Sequence, residues 1–80
     1  MGIRLNRNAS YQAKRERLPP DRLTRLQYAE EDLASDADRA PFQAGTVQFA
    51  YFDDEFLAIE YARTDRESAE LRDFRFLEDT

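Results

Sequence analysis

The chain has 80 residues with no cysteine and no histidine, which excludes disulfides, cysteine or histidine metal sites and catalytic triads built on imidazole. Its 12 basic and 17 acidic side chains give a net charge of −5, and no apolar run approaches the roughly 18 residues of a membrane span. We expect one small domain over residues 1–80, and the absence of cysteine fits a cytoplasmic protein. No cofactor is expected, because a chain with two glycines has no phosphate-binding loop.

The charges are divided unevenly along the chain. Residues 1–25 carry seven basic and two acidic side chains, a balance of +5, and residues 26–80 carry five basic and fifteen acidic ones, a balance of −10. Such a split indicates either a solvated surface or a charged partner. Because the whole chain is acidic, with a pI of about 4.6, the second interpretation favours a partner with a basic surface over direct binding to nucleic acid.

A strand followed by a helix is predicted at the start of the chain. Ile3 and Leu5 alternate with polar residues, which predicts a short strand at a sheet edge. Asn8 or Ser10 is suited to cap a helix that runs to about Arg17.

A second, longer helix is predicted from Pro20, which suits a first helical turn, to about Asp38. An apolar stripe at helical spacing is expected to face the core. The stripe consists of Leu23, Leu26, Ala29 or Glu30, Leu33 and Ala37. In the loop that follows, Phe42 is expected to fold back into the core.

The charges of this second helix oppose its dipole. Arg22 and Arg25 stand in its first turns, where anions are preferred, and acidic residues crowd the second half, where cations are preferred. Each exposed mismatch costs roughly 0.3–1 kcal/mol. A pattern with such a cost is typical of a binding surface, or of drift on an exposed, salt-screened helix.

The densest apolar run, TVQFAYFDDEFLAIEYA at 46–62, predicts a β-hairpin. A three-residue loop at 53–55 would pair Phe52 with Phe56 and Phe49 with Ile59. Because side chains alternate across a strand, this register places the large apolar residues on one face, the predicted core face. That face comprises Val47, Phe49, Tyr51, Leu57, Ile59 and Tyr61. Phe52 and Phe56 then form a second apolar patch on the other face, either core or an interface.

The last segment predicts a short helix and then a strand. Thr64 and Glu67 match a capping box, which indicates a helix start. The aromatic DFRFL predicts a strand from about Arg72 to Leu77 beside the hairpin, although the apolar positions of 71–77 also fit helical spacing. The predicted fold class is therefore α+β, with the order β-α-α-β-β-(short α)-β and helices on one face of an antiparallel sheet.

This order resembles that of bacterial RelE/ParE-type toxins. The first strand IRLNR precedes the helical segments ASYQAKRERL and PPDRLTRLQYAEEDLASDADRAP, and the strands TVQFAYF, FLAIEYA and DFRFLE follow. The resemblance implies a ribonuclease site of basic and aromatic residues on the sheet. The candidates for it are Tyr61, Arg63, Arg66, Arg72 and Arg75. The chain departs from these typically basic toxins in being acidic.

In size, acidity and lack of catalytic motifs, the chain is similar to phage-encoded inhibitors such as anti-CRISPR proteins, some of which occupy basic nucleic-acid grooves of their targets. The preferred hypothesis is a non-catalytic inhibitor or regulator that binds a basic, nucleic-acid-binding protein by nucleic-acid mimicry. The candidate partner-binding residues are Glu31, Asp32, Asp36, Phe52, Asp53, Asp54, Glu55 and Phe56.

Two alternatives stay open. The first is a RelE/ParE-like ribonuclease or an inactive relative of one. The second is a structural or assembly subunit that forms a symmetric dimer through Phe52 and Phe56. The acidic tip Asp53–Asp54–Glu55 also offers oxygen ligands for Mg²⁺ or Ca²⁺, but no EF-hand spacing accompanies it, so the sequence favours a solvated turn without metal.

Overall fold

The computed structural model describes residues 2–39, 43 and 45–77, and therefore leaves the expectation for Phe42 outside the described residues. The elements are β1 (Arg4–Arg7), α1 (Ala9–Glu16), α2 (Pro20–Arg39), β2 (Val47–Phe52), β3 (Leu57–Asp65) and β4 (Ser68–Phe76). The predicted α+β class is confirmed, since both helices pack against a four-stranded sheet. Neither helix of this described part is long and apolar enough to cross a membrane.

Both helices begin where the sequence predicts. The Asn8 side chain caps α1 by accepting a hydrogen bond of 2.8 Å from the backbone N–H of Tyr11. Pro20 is the first residue of α2. A backbone N–H at this position has no acceptor within the helix, so proline costs no hydrogen bond here. The predicted stripe of α2 is confirmed except at Leu23, which is half-buried. The buried residues of the helix are Leu26, Ala29, Glu30, Leu33 and Ala37, so both Ala29 and Glu30 face the core.

The sheet has the strand order β1-β4-β3-β2. It is mixed and not wholly antiparallel as predicted, because β1 runs parallel to β4 while the other pairs are antiparallel. The predicted edge position of β1 is confirmed. Ile3, next to it in sequence, donates its backbone N–H to the carbonyl of Ala34 in α2 at 3.2 Å. This hydrogen bond ties the sheet edge to the helix layer.

The short helix predicted at Thr64 is wrong. Strand β3 continues to Asp65, and a two-residue turn at 66–67 leads directly into β4. The Asp65 carboxylate accepts a hydrogen bond of 2.8 Å from the backbone N–H of Glu67. The carboxylate thus satisfies a backbone N–H of the turn, as a capping side chain would satisfy one at a helix start. For this reason the polar residues that suggested a helix cap are equally suited to a turn. The predicted strand near the C-terminus is confirmed and is longer than expected.

The predicted hairpin register is wrong by one residue. The tip has four residues, 53–56, and Asp53, Asp54 and Glu55 all take positive φ angles of 56°, 55° and 70°. As a result Phe52 lies opposite Leu57 and Phe49 lies opposite Glu60. The large residues of β2 and β3 therefore point to different faces of the sheet.

Only half of the predicted core face is buried. Leu57, Ile59 and Tyr61 of β3 join the core beneath the helices. Val47, Phe49 and Tyr51 of β2 point away from the helices and remain 48%, 51% and 56% exposed. β2 is an edge strand and only its helix-facing side chains reach the core, where Ala50 and Phe52 pack at the rim.

The Phe49→Ala variant tests this register. We expect it to lower the free energy of unfolding by less than about 1 kcal/mol, because the replacement removes only the strand propensity of phenylalanine and the contacts of a side chain that is half exposed. Ile59→Ala, in the buried core, is expected to cost about 2–5 kcal/mol. Thermal melts of both variants check the difference, and equal losses would argue for the register predicted from sequence.

Candidate protein-binding surface

A buried carboxylate occupies the side of α2 that faces β1. Glu30 is 3% exposed and accepts paired hydrogen bonds from Arg7 at 3.1 and 3.0 Å and from Arg15 at 3.1 Å each. The hydroxyl of Tyr11 donates a further bond of 2.7 Å to the same carboxylate. We call these four residues the Glu30 network.

The electrostatics of the Glu30 network follow from this geometry. Burial would raise the pKa of Glu30, but the hydrogen bonds from the two arginines and Tyr11 outweigh it and lower the pKa below its usual value. The hydrogen bond to Glu30 raises the pKa of Arg7. Burial, followed by the hydrogen bond to the carboxylate, raises the pKa of Tyr11 well above its usual range. Glu30 is held ionised and Tyr11 is held protonated, and the hydrogen bonds of the carboxylate are satisfied within the network, which indicates a structural role.

The residues suggested for a ribonuclease site do not converge. Tyr61 and Arg63 are buried on the helix side, and the Tyr61 hydroxyl donates to the Gln48 side chain at 3.1 Å. Arg72 and Arg75 point to the opposite face, where Arg72 pairs with Glu60 at 3.3 Å. Arg66, the fifth candidate, stands in the turn after β3. The side chains that one reaction would need together are thus divided between two faces of the sheet.

The arginines at the start of α2 have structural partners. Arg22 and Arg25 stack over the ring of Phe76, with 4.8 and 5.2 Å from the guanidinium carbon to the ring centroid. Arg25 also forms an ion pair with Asp53 at the hairpin tip. The basic half of the charge pattern that opposes the helix dipole is therefore explained by packing.

The acidic residues of α2 fall on two sides of the helix. Asp32 lines a cleft of about 180 Å³ between α2 and the hairpin tip, together with Tyr28, Phe52 and Asp53. Asp36 follows Asp32 by four residues and so shares its side of the helix. Both are exposed, and Asp36 pairs with Arg39 at 2.8 Å. We call Asp32 and Asp36 the acidic pair.

The remaining candidates are only partly brought to this side. Glu31 lies on the β1 side of α2, beside Arg7 and Arg15, so it does not extend the acidic pair. Asp54 and Glu55 are exposed at the tip, close to the ion-paired Asp53.

The predicted patch of Phe52 and Phe56 is not formed. Phe52 is half-buried against the core from the helix side, whereas Phe56 stands in the turn and is 49% exposed. Within residues 2–39, 43 and 45–77, no group of three or more acidic side chains is placed to hold a metal ion.

Sequence reasoning missed an apolar surface on β2. Its side chains Val47, Phe49 and Tyr51 are about half exposed on the face away from the helices. The segment VQFAYF carries no charge and no proline, the usual protections of an edge strand. Among the described strands, β2 pairs with β3 alone, and the other edge of β2 is open. The signal in the sequence was the uncharged run itself, which we interpreted as core.

Comparisons with protein-family models, with curated proteins and with solved structures give no match.

Proposed function

We propose that this protein is a non-catalytic inhibitor or regulator that binds a basic, nucleic-acid-binding protein. The observation that carries the proposal is the position of the acidic pair. Asp32 and Asp36 are exposed on the side of α2 that faces the hairpin. The nearby strand β2 is uncharged, and its outer edge is not paired with any other strand that the structure describes. The acidic side chains lie on the helix side of β2, and its apolar side chains lie on the opposite face of the sheet. A partner that covers this edge therefore meets charge for steering on one side and apolar area for holding on the other.

The cost of the acidic pair supports a binding role. The basic half of the charge pattern on α2 is explained by contacts with Phe76 and Asp53, and Glu30 is explained by its network. Asp32 and Asp36 have no comparable structural explanation: in the part of the chain that the structure describes, Asp32 has no ion pair, and that of Asp36 with Arg39 is exposed. Asp36 stands in the last turn of α2, where an anion is unfavourable, and a function that uses the acidic pair accounts for its presence there.

The partner surface that fits is basic. Carboxylates of the acidic pair and of Asp54 and Glu55 stand in for nucleic-acid phosphates, so that the protein occupies a groove by mimicry as some phage-encoded inhibitors do. The apolar anchor is provided by Val47, Phe49 and Tyr51 in place of Phe52 and Phe56. With nucleic-acid-binding proteins as targets and no cysteine in the chain, we place the protein in the cytoplasm.

The double variant Asp32→Lys/Asp36→Lys tests the proposal. Tagged protein is used to capture partners from host lysate at low and high salt, and the recovered protein is identified and assayed for nucleic-acid binding. We expect the wild type to compete with nucleic acid for that partner, and the double variant to lose competition by at least about tenfold. Competition should also weaken as salt is raised.

Glu31→Lys/Asp38→Lys is the matched control, because it changes the net charge equally on the other side of α2. The control is expected to compete like the wild type. The acidic-pair variant should differ from the wild type in stability by about 0.5 kcal/mol or less, because both positions are exposed on the helix surface. If both double variants compete equally well, the acidic pair is not a binding surface. A symmetric dimer in light scattering, unaffected by the acidic-pair variant, would favour an assembly subunit instead.

A further inference from the structure

The main-chain groups on the open edge of β2 have a definite direction. Leu77 donates its N–H to the carbonyl of Phe56 at 2.7 Å. In an antiparallel ladder, successive residues turn their N–H and C=O groups to alternate neighbours. Phe56 is turned towards β4, so Leu57 and every second residue after it are turned towards β2. By the register of the hairpin, Val47, Phe49 and Tyr51 then direct their N–H and C=O groups to the open edge.

The acidic pair lies alongside this edge. Near one end of α2, Arg25 pairs with Asp53, which directly follows β2. Near its other end, the carbonyl of Ala37 accepts a bond of 2.7 Å from Arg63, whose own carbonyl accepts from Gly45, just before β2. The helix therefore runs opposite to β2. Asp32 lies beside the end of β2 at Phe52 and Asp53, and Asp36 follows one turn further along the helix, in the direction of the start of the strand.

The spacing of the acidic pair matches an extended chain. Residues four apart in a helix are separated by about 6 Å along its axis. Residues two apart on one side of a strand are separated by about 6.6 Å. A strand added next to β2 would turn every second side chain towards the helix layer, where Asp32 and Asp36 offer carboxylates at nearly that interval. The side chains between them would turn to the other face, beside Val47, Phe49 and Tyr51.

We infer that the partner is held through an extended segment in which Lys or Arg alternates with apolar residues, and that this segment adds to the sheet as a fifth strand beside β2. The inference rests on the proposed function, because it states how the basic partner is recognised. Main-chain hydrogen bonds supply affinity, and the two faces of the sheet supply the sequence preference.

A second copy of the chain fits this edge less well. Two-fold pairing of β2 with itself keeps both helix layers on one side of the joined sheet. The acidic pairs of the two copies would then meet near the axis, where like charges repel. A basic strand replaces that repulsion with attraction to the acidic pair. Electrostatics therefore favours a basic segment over a second copy of the chain.

Synthetic peptides test the inference. The probe is the peptide Arg-Val-Lys-Tyr-Arg-Val-Lys-Tyr, and its control has the same composition in blocks, Arg-Lys-Arg-Lys-Val-Tyr-Val-Tyr. We expect the alternating peptide to bind at least about tenfold more tightly and to shift the amide NMR signals of Val47, Phe49 and Tyr51. Asp32→Lys/Asp36→Lys should lose about tenfold in affinity for it, and Glu31→Lys/Asp38→Lys should not.

Methylation of the peptide nitrogens checks the main-chain contribution. Since an added strand directs alternate N–H groups to β2, N-methylation of either the apolar or the basic positions should abolish binding, and N-methylation of the other set should be tolerated. Equal binding of the alternating and block peptides, or equal tolerance of both methylated sets, would overturn the strand inference. If the partner protein still depends on the acidic pair in that case, the proposed function stands alone; if neither partner nor peptide responds to the acidic-pair variant, both fall.

Discussion

Glu30→Ala is expected to lower the free energy of unfolding by about 3–5 kcal/mol, because it removes one member of a buried ionic cluster and leaves the others unpaired. Arg15 keeps 17% of its side-chain surface exposed and Arg7 keeps 32%, so rehydration of Arg7 places the loss near the lower end. For a domain of this size, each kcal/mol corresponds to about 4–8 °C in Tm. A thermal melt should therefore show a decrease of more than about 12 °C.

Glu30→Gln and a pH series separate charge from shape in this prediction. The glutamine variant keeps a hydrogen-bond acceptor for Tyr11 but not the negative charge, and should lose less than Glu30→Ala. Because the pKa of Glu30 is lowered in the folded protein, its ionic contribution is complete above the usual carboxyl pKa and is lost as pH falls through the lower folded value. The stability difference between wild type and Glu30→Gln should therefore shrink as the solution is acidified. A difference that is constant with pH would contradict an ionic role.

The elements that sequence predicted correctly have local signals. Asn8 caps α1 and Pro20 is the first residue of α2, and both act through groups within one turn of the helix start, so these signals can be recognised from the local sequence. The apolar stripe of α2 is read at the helical period, and it even included Glu30 as a stripe position. The burial of Glu30 depends on Arg7 and Arg15, which come from two other elements of the fold and are far from Glu30 in the sequence.

The hairpin register could not be derived from local pattern alone. Side-chain alternation predicted one core face shared by Val47, Phe49 and Tyr51 of β2 and by the large residues of β3, but the structure buries those of β3 and exposes these three. The four-residue tip requires three successive residues at positive φ without a glycine, which sequence preference disfavours. One of them, Asp53, is held by Arg25, far away in the chain. That contact, and the limited reach of the helix layer over the edge strand, are tertiary facts.

The acidic surface was predictable in composition but not in arrangement. Glu31 and Asp32 are neighbours in sequence, yet about 100° of helical rotation sends them to opposite sides of α2. The side that matters depends on which strand lies next to the helix. In the structure β2 lies at the sheet edge, next to the side of α2 that carries Asp32. Because the predicted register was wrong, the exposed apolar side chains of β2 were predicted to be core.

Arg63→Lys is expected to lower the free energy of unfolding by about 3 kcal/mol or more, although it keeps the charge. Arg63 is 6% exposed. Its guanidinium donates to the backbone carbonyls of Ala37 and Arg66 at 2.7 Å each, and to those of Ser68 and Asp65 at 3.3 Å each. One fork thus joins the last turn of α2, whose carbonyls lack helical partners, to the turn between β3 and β4. An ammonium group cannot reach all of these acceptors from a single point.

Arg75→Lys is the matched control for this variant, because Arg75 is exposed on the opposite face of the sheet and its replacement should change stability by less than about 0.5 kcal/mol. Thermal melts compare the two, and amide exchange should show faster opening of the turn at 66–67 in Arg63→Lys than in Arg75→Lys. The ribonuclease hypothesis makes the opposite prediction, since a catalytic arginine can be replaced by lysine with the fold intact. The contradicting outcome has two parts: Arg63→Lys melts at the same temperature as the wild type, and the wild type has ribonuclease activity that the variant lacks. Arg63 would then act in catalysis, and the structural role assigned to it would be wrong.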